Sequence, residues 1–322
     1  MFIEQEIIMR KTFVITIDTE GDNLWGWKWG TPIETNNTNY LPRFQELCNQ
    51  YEFIPTWLVN WEMAKDDRFV GFTKENLISG QCEIGMHLHA WNMPPAYELP
   101  ADETSGKPFL IEYPTNVMRE KIECMTDFLE ERFGHRPVVH RAGRWIINDQ
   151  YLKILAEQGY IADCSVTPHV DWSNTRGRTP GVYGNNYRDE RNNVTKRGEI
   201  LEIPVSTLWS HRPFLIDKKG INRKKRELTY IKKGRTIWLR PTGRNLREML
   251  HLIDCYSKSD VDYLEFMIHS SELMPGGSPN FKTEEDIDNL YYHMDVIFDR
   301  ISRSYSGMGL EQYAKNKMKE LY

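Results

Sequence analysis

Long apolar runs are absent from this chain of 322 residues. No stretch offers the ~20 consecutive apolar residues that a membrane-spanning helix needs. A basic leader is absent too, because the first residues, Met1–Glu6, carry two glutamates where a secretory signal would carry lysine or arginine. These absences exclude a membrane-spanning apolar helix and argue against secretion, so we expect a cytoplasmic protein, with membrane-peripheral attachment as the alternative.

Closely spaced cysteines are also absent. The five cysteines lie far apart and form no Cys-X-X-Cys pair: Cys48, Cys82, Cys124, Cys164 and Cys255. An odd, dispersed set in a chain without an export signal is typical of reduced thiols. The spacing excludes a zinc finger and argues against a disulfide framework.

A general excess of positive charge is missing as well, since the formal net charge is −5. That balance argues against nucleic-acid binding. Residues 218–244 depart from it with eleven Lys or Arg and the single acid Glu227, so the remaining chain carries −15, that is −5 minus +10. The segment is either a solvated flap or a surface for an anionic partner, such as a phosphorylated lipid carrier, a nucleotide-sugar, an acidic glycan or a membrane surface.

Short apolar runs alternate with helical periodicity along almost the whole chain. The candidate strands are 13–17, 54–59, 83–89, 137–141, 160–166, 201–208 and 263–269, and the candidate helices are 41–51, 117–133, 149–158, 245–257 and 284–304. Such alternation favours a parallel sheet, and about seven strands favour a closed or nearly closed barrel. We therefore predict one α/β domain over residues 1–322, a distorted (β/α) barrel with long rim loops, a basic insertion at about 212–244 and C-terminal helices at about 284–322.

Two pairs of polar residues follow apolar runs and have the spacing of one strand face. Asp18 and Glu20 are two residues apart, and so are His87 and His89. Side chains two residues apart on a strand point to the same side. Two imidazoles and one carboxylate form a hydrolytic metal site when one position stays open for water. The pattern predicts a metal-dependent hydrolase, with capping carboxylates and core histidines as the alternative.

Seven polar residues fall at the C-terminal ends of candidate strands, the rim where parallel barrels build active sites. They are Asp18, Glu20, His87, His89, Arg141, Asp163 and His269. His140, the neighbour of Arg141, should point to the opposite face of its strand, and we expect it to be structural.

Four motifs occur in a specific order: Thr16-Ile17-Asp18-Thr19-Glu20, Glu83-Ile84-Gly85-Met86-His87-Leu88-His89, His140-Arg141-Ala142-Gly143-Arg144-Trp145 and Ile268-His269-Ser270. From about Thr12 to Phe281 the chain resembles the polysaccharide deacetylase superfamily (NodB homology, carbohydrate esterase family 4). The tail of the last motif resembles a divergent branch linked to surface-polysaccharide biosynthesis. The resemblance implies a distorted barrel, one divalent metal ion, which we expect to be zinc, and hydrolysis of an N- or O-acetyl group.

The resemblance also implies a ligand set, which this chain alters. In the family a ligand aspartate directly follows the catalytic aspartate, and three residues separate the two ligand histidines. This chain has Thr19 and Trp91 at the corresponding positions. The expected metal ligands are therefore Glu20, His87 and His89, with Asp22 as the alternative carboxylate.

The catalytic residues that the resemblance implies are Asp18, Arg141 and His269. Asp18 matches the general base, and Arg141 matches the arginine that orients it. A bidentate arginine would also keep the aspartate ionised at neutral pH. His269 matches the general acid, which would deliver a proton to the departing amine.

Aromatic and polar residues next to the motifs are the candidates for substrate binding: Trp25, Trp91, Arg144, Trp145 and Asp163. Tryptophan rings near a sugar site often stack on pyranose faces, although core or loop packing is the alternative for each of them. Asp171 and Trp172 are candidates for an acetyl pocket by position alone.

The leading hypothesis for function is a deacetylase that acts on an N-acetylated sugar, glycolipid or polymer precursor in lipopolysaccharide or capsule assembly. The partner would be that carbohydrate, lipid- or nucleotide-linked, with peripheral membrane contact through residues 218–244. A second hypothesis is a deformylase or other small-molecule amidase on the same scaffold. A third is a non-catalytic glycan-binding relative, which the departures at Thr19 and Trp91 motivate.

Overall fold

The computed structural model describes residues 10–22, 24–28, 31–97, 107–212 and 223–321, without the side chains of 223–227 and 321. The strands are β1 (Lys11–Thr19), β2 (Pro55–Val59), β3 (Glu83–Leu88), β4 (Val139–Ala142), β5 (Ala162–Asp163), β6 (Thr195–Arg197), β7 (Ile200–Glu202), β8 (Thr207–Ser210), β9 (Arg235–Trp238), β10 (Tyr263–His269) and β11 (Tyr305–Gly307). The α-helices are α1 (Leu41–Gln50), α2 (Trp61–Lys65), α3 (Asp67–Ile78), α4 (Thr115–Phe133), α5 (Asp149–Glu157), α6 (Arg223–Lys233), α7 (Leu246–Ser257), α8 (Glu284–Ser302) and α9 (Leu310–Leu321).

The main sheet is a curled, open run of parallel strands. Its order is β10-β1-β2-β3-β4-β5-β7-β6, and β11 adds to the end of β1. Every pairing from β10 to β7 is parallel, and only β6 runs antiparallel to its neighbour. The prediction of a distorted α/β barrel with about seven parallel strands is confirmed, in an open form.

The predicted helices form for the reasons visible in the sequence. In α4 the buried stripe includes Ile122, Met125 and Leu129, which is the spacing of a helix that faces a core. Gly134 ends α4 in the left-handed conformation, with φ of 70°. Asn148 begins α5 by accepting a hydrogen bond from the Tyr151 amide at 2.8 Å. The amphipathic face therefore sets where each helix packs, and the caps set its length.

The sheet is buried on both faces, and the two faces differ. One face packs against the helices through a large aromatic core, in which Phe13 and Phe53 meet with ring centroids 4.8 Å apart. The other face carries a smaller cluster that includes Val14, Val139 and Tyr263, and α9 covers it. Burial on both faces explains why the strands are nearly continuous apolar runs.

The region after β7 differs from the prediction. The candidate strand 201–208 is two strands, because the chain leaves the main sheet after β7 and β8 pairs with β9 in a separate antiparallel hairpin. Pro204 lies in the break and has no amide hydrogen to continue a ladder. Within the predicted basic insertion, α6 and β9 are described and residues 213–222 lie outside the described part. Among the described helices none is both long and apolar enough to cross a membrane.

Gly85 in β3 provides a test of the sheet packing. A Cβ atom there would lie 2.6 Å from Leu58 Cδ2 and 2.8 Å from Val139 Cγ2 and from the Val139 carbonyl oxygen. Because these atoms belong to the buried neighbouring strands, we expect Gly85→Ala to lower the free energy of unfolding by about 1–3 kcal/mol. The measurement is denaturant unfolding of the purified protein.

The matched control is Gly71→Ala in α3. A Cβ at Gly71 meets nothing within 4 Å, so the substitution should stabilise the protein by about 0.5–1 kcal/mol through higher helix propensity. Equal stabilities of the two variants would contradict the packing described for β3.

Candidate active site

Glu20, His87 and His89 come together at the C-terminal ends of β1 and β3. Their ligand atoms all lie within 4.8 Å of one another, and all three residues are buried. Glu20 Oε2 is 3.0 Å from His89 Nε2 and 3.6 Å from His87 Nε2. The sequence-predicted ligand set is therefore a compact cluster in the structure.

The donor atoms of this cluster fit a divalent ion. His87 Nδ1 lies 3.0 Å from the Arg141 carbonyl oxygen, which can only accept, so Nδ1 carries the hydrogen and Nε2 presents its lone pair towards Glu20. Burial would raise the pKa of Glu20, but its contacts with His87 and His89 hold it well below its usual value. An ionised carboxylate facing two imidazole nitrogens is the ligand set of a zinc site with an open position.

The two imidazoles have opposite pKa shifts. Burial lowers the pKa of His89, which favours the neutral form that a metal ligand needs. Burial would also lower the pKa of His87, but Asp18 and Glu20 outweigh it and raise the pKa. The carboxylates of Asp18 and Glu20 thus favour a positive charge beside His87. Either a proton on the imidazole or a bound metal ion can provide that charge.

Asp18 is held by a buried arginine. Arg141 Nη1 donates to Asp18 Oδ1 at 2.6 Å, and Arg141 Nη2 donates to Glu265 Oε1. Burial would raise the pKa of Asp18, but Arg141, with help from His87 and His269, holds it below its usual value. Burial raises the pKa of Glu265 to about 7, although Arg141 and Thr16 act against it. One guanidinium therefore keeps Asp18 ionised, whereas at Glu265 burial outweighs the same guanidinium and leaves the pKa raised.

His269 is oriented by a carboxylate that the motifs did not indicate. Its Nδ1 lies 3.2 Å from Glu272 Oε2, and its backbone amide donates to the same oxygen at 3.1 Å. Burial would raise the pKa of Glu272, but Arg240 and His269 lower it to about 2, and Arg240 Nη2 lies 3.1 Å from the same Nδ1 of His269. His269 Nε2 then faces the pocket, 3.7 Å from Asp18 Oδ2 and 3.8 Å from Glu20 Oε1.

Strand register brings these side chains to one place. Asp18 pairs with His269 across β1 and β10, and His87 pairs with Arg141 across β3 and β4. Asp18 lies on the same face of β1 as Val14, and Arg141 lies on the same face of β4 as Val139, because side chains an even number of residues apart on a strand share a face. The catalytic candidates therefore lie at the C-terminal ends of the strands, on the same sheet face as the smaller cluster that α9 covers.

A pocket of about 470 Å³ opens above this layer. Its lining contains four tryptophans, two arginines and both predicted histidine ligands: Asp18, Glu20, Leu24, Trp25, His87, His89, Trp91, Ala142, Arg144, Trp145, Trp172, Thr175, Arg240 and His269. Trp25 meets the His269 ring edge-on with centroids 4.9 Å apart, and Trp91 stacks on Trp27 at 4.7 Å. The structure thus brings four of the five predicted substrate-binding residues to the pocket.

Asp163 is the exception, and the expectation that it binds substrate is corrected. It has no exposed surface, and its Oδ1 accepts from His140 Nδ1 at 2.6 Å. Its sequence neighbours Ala162, in β5, and Cys164, just after β5, belong to the smaller cluster on the pocket side, so alternation turns Asp163 to the opposite face. It meets His140 there, the residue that the sequence analysis expected to be structural.

Hydrogen bonds and ion pairs place Asp22 and Asp171 outside the pocket. Asp22 accepts from the backbone amides of Asn36 and Asn37 at 2.9 Å each, so it caps the short helix at Asn36–Tyr40 and lies outside the ligand cluster. Asp171 pairs with Arg188 at 3.0 Å and does not line the pocket, whereas its neighbour Trp172 does. Glu20 is accordingly the carboxylate of the cluster.

The basic segment contributes to the site. Arg240 lines the pocket and donates from Nη2 to Glu272 Oε2 at 3.0 Å. Arg240 lies two residues after the end of β9, and its Nη2 is 3.1 Å from His269 Nδ1. Lys218 and Lys219 lie outside the described residues.

Three further positioning residues were not predicted from the sequence: Glu62, Glu265 and Glu272. Glu265 and Glu272 are fully buried carboxylates, and a charged residue inside an apolar strand, as at Glu265, is a usable signal because such residues are buried only when paired. Glu62 accepts from the Gly21 amide at 3.0 Å and from Asn92 Nδ2 at 2.6 Å. It ties the residue after Glu20 to the residue after Trp91, a contact that no motif encodes.

The assignment of Glu20 as a ligand can be tested against Asp22. Glu20→Gln should reduce bound zinc from about one ion per chain to near the level of the double variant His87→Ala/His89→Ala, because a carboxylate ligand is lost. Asp22→Asn should keep zinc, since an amide oxygen can still cap the short helix. Elemental analysis after zinc loading and desalting measures both. Retention of stoichiometric zinc by the double histidine variant would overturn the site.

Comparisons with known proteins bear on the fold. No family model and no curated protein sequence matches the chain. Among solved structures, a putative polysaccharide deacetylase from Mycobacterium smegmatis is 15% identical, with 97% of this chain and 91% of that chain covered and a TM-score of 0.51. A 4-alpha-glucanotransferase from Thermococcus litoralis is 14% identical, with 95% of this chain and 40% of that chain covered and a TM-score of 0.54.

A peptidoglycan deacetylase from Bacillus subtilis is 15% identical, with coverage of 97% and 96% and a TM-score of 0.41. The names of the first two structures describe different reactions, so the shared fold does not decide the chemistry. The chain shares its fold with the polysaccharide deacetylase and glucanotransferase structures.

Proposed function

We propose that this protein is a metal-dependent hydrolase that removes an acetyl group from an N-acetylated carbohydrate. The observation that carries the proposal is the convergence of five side chains on one pocket: Asp18, Glu20, His87, His89 and His269. They supply a ligand set, a base and an acid, which are the groups that amide hydrolysis needs. The polysaccharide deacetylase fold supports the same class of reaction.

Glu20, His87 and His89 would hold the ion, and nitrogen and oxygen donors of this kind favour zinc. The chemistry that the ion supplies when bound is activation of a water molecule and polarisation of the acetyl carbonyl. Asp18 would accept the proton as the water attacks. Arg141 occupies Asp18 Oδ1, so the base would act through Oδ2, which faces the pocket side where His269 lies.

His269 would act as the general acid. Its Nδ1 lies 3.2 Å from Glu272 Oε2 and 3.1 Å from Arg240 Nη2, and these two contacts orient the ring. The proton on Nε2 is then directed into the pocket, where the departing amine needs it. His269 on β10 and Asp18 on β1 lie on neighbouring strands, so a substrate bound in a single position would reach both the acid and the base.

The tryptophans around the pocket support a carbohydrate as substrate. Trp25, Trp91, Trp145 and Trp172 offer flat apolar faces of the kind that pack against sugar rings. The substrate in this proposal is an N-acetylated sugar or glycan precursor, lipid- or nucleotide-linked, used in cytoplasmic assembly of lipopolysaccharide or capsule. The intact acid, base and ligand set favours an enzyme over a glycan-binding relative without activity.

Acetate release tests the function directly. Zinc-loaded protein is incubated with N-acetylated mono- and oligosaccharides, their nucleotide- and lipid-linked forms and the matching N-formylated compounds. We expect acetate from at least one acetylated carbohydrate and its loss after chelation of the metal. Formate release without acetate release would favour the deformylase, and no release from any compound would favour the binding protein.

The proposed proton-transfer roles of Asp18 and His269 predict how a variant of each residue should behave. Asp18→Asn and His269→Ala should keep stoichiometric zinc and lose activity by about 10²–10⁴-fold each, because each removes one proton-transfer group. Steady-state kcat on the best substrate, with zinc content measured in parallel, checks this. A near-native kcat in either variant would remove that residue from the mechanism.

We also propose that the region around α6 contacts an anionic membrane surface. Exposed apolar side chains accompany the cationic segment: Trp209 is 43% exposed, Leu228 57% and Ile231 47%. Leu228 and Ile231 are three residues apart on α6, which also carries Lys232 and Lys233. A basic helix that exposes apolar residues binds membrane surfaces through both features.

Neutralising four cationic residues at the start of α6 tests this contact. In Arg223→Gln/Lys224→Gln/Lys225→Gln/Arg226→Gln, binding to vesicles with anionic lipid should weaken at least tenfold, since each charge contributes about 1 kcal/mol near such a surface. Co-sedimentation at low and high salt measures it, with uncharged vesicles as the control. Equal binding of the wild type to charged and uncharged vesicles would reduce the segment to a solvated flap.

A further inference from the structure

Arg144 lies in a turn with an unusual backbone. The turn Gly143–Trp145 follows β4 directly, and Arg144 and Trp145 have φ of 59° and 66°. Residues with side chains rarely adopt this left-handed region, and consecutive ones are costly. Such conformations persist where the surrounding structure imposes them, and they cluster at ligand sites.

Contacts on both sides impose this conformation. Tyr187 donates from its hydroxyl to the Trp145 carbonyl oxygen at 2.7 Å. Asn185 accepts from the Ile147 amide at 3.1 Å and donates to the Ile147 carbonyl at 3.0 Å. At Gly143 a Cβ atom would lie 2.7 Å from His89 Nδ1, so the turn is pressed against the metal-ligand cluster. The result is that Arg144 and Trp145 both line the pocket.

Arg144 differs in its pairing from Arg240, which also lines the pocket, and from the buried Arg141. Arg141 is paired with Asp18 and Glu265, and Arg240 is paired with Glu272. Among the described residues no carboxylate lies within 4 Å of the Arg144 guanidinium, and no hydrogen bond to it is present. Glu20 and Glu112 influence it only at longer range. Its donors are therefore available to a ligand.

We infer that Arg144 binds an anionic group of the substrate next to the acetylated nitrogen, so that the preferred substrate is an acidic N-acetylated sugar. The planar guanidinium matches a carboxylate or a phosphate group with two parallel hydrogen bonds. Trp145, presented by the same turn, supplies a face for the sugar ring. The inference rests on the proposed function and adds the substrate class. Arg144, rather than Arg240 of the basic segment, would bind the anionic group, because Arg240 is already paired with Glu272.

The test uses zinc-loaded full-length protein and matched probes. The neutral probe is N,N′-diacetylchitobiose, the carboxylate probe is a disaccharide of N-acetylglucosamine and a hexuronic acid, and the phosphate probe is N-acetylglucosamine 1-phosphate. Acetate release gives KM and kcat, and calorimetry in the Asp18→Asn background gives Kd without turnover. The variants are Arg144→Ala, and Arg144→Gly to remove the side chain while suiting the left-handed backbone. Arg43→Ala, which removes a surface arginine paired with Asp288, is the matched control.

We expect at least one acidic probe to bind the Asp18→Asn protein about tenfold or more tightly than the neutral probe, as for hydrogen bonds to charged groups. Arg144→Ala and Arg144→Gly should both abolish that preference through KM and Kd, and Arg43→Ala should preserve it. The carboxylate and phosphate probes show which anion is recognised.

Equal affinity of the wild type for neutral and acidic probes would overturn the inference and leave the proposed function standing if acetate is released. An equal fall of kcat on every probe in both Arg144 variants would also overturn it, because it would indicate a role in the reaction itself or in the fold. Absence of acetate release and of binding by every probe would remove the proposed function and the inference with it.

Discussion

The buried guanidinium of Arg141 is the interaction on which the site depends. It has no exposed surface, and it donates to Asp18 from Nη1, to Glu265 from Nη2 and to the Cys164 carbonyl from Nε at 3.0 Å. Its own carbonyl oxygen accepts from His87. One residue therefore orients the base, sets which nitrogen of His87 faces the ligand cluster and ties β4 to β1, β5 and β10.

The electrostatics follow from that arrangement. A buried charge is tolerated when it is paired, and the removal of one partner leaves the other uncompensated. Arg141 faces two carboxylates: it holds the pKa of Asp18 below its usual value against the effect of burial, whereas burial outweighs it at Glu265 and raises that pKa to about 7. On the other side of the pocket the pair Arg240–Glu272 provides the same support to His269. Asp18 thus rests on the fully buried Arg141, and His269 rests on the buried Glu272 and the partly buried Arg240.

Much of this was predictable because it depends on local spacing. Pairs two residues apart, such as His87 and His89, reveal a strand face, and apolar runs that end in polar residues reveal the rim of a parallel barrel. The apolar neighbours Ala162 and Cys164 could also have placed Asp163 on the face opposite the pocket, because successive residues of a strand point to opposite faces. The prediction instead followed its position at a strand end.

The remainder depends on contacts between distant parts of the chain. Glu62 links the loops after β1 and β3 only in the folded protein. Arg240 reaches His269 because β8 leaves the main sheet and pairs with β9, a departure that the apolar pattern of residues 201–208 did not indicate. The left-handed turn at Arg144 depends on Asn185 and Tyr187, about forty residues away in sequence.

The central claim is that Glu20, His87 and His89 bind one divalent ion beneath a base that Arg141 orients. Anomalous diffraction at the zinc edge from crystals of zinc-loaded protein tests it most directly. The account predicts a single strong peak about 2.0–2.2 Å from His87 Nε2, from an imidazole nitrogen of His89 and from a Glu20 oxygen, with an open position towards Asp18 and His269. A peak at other residues, or crystals of the loaded protein without a peak at this cluster, would contradict it.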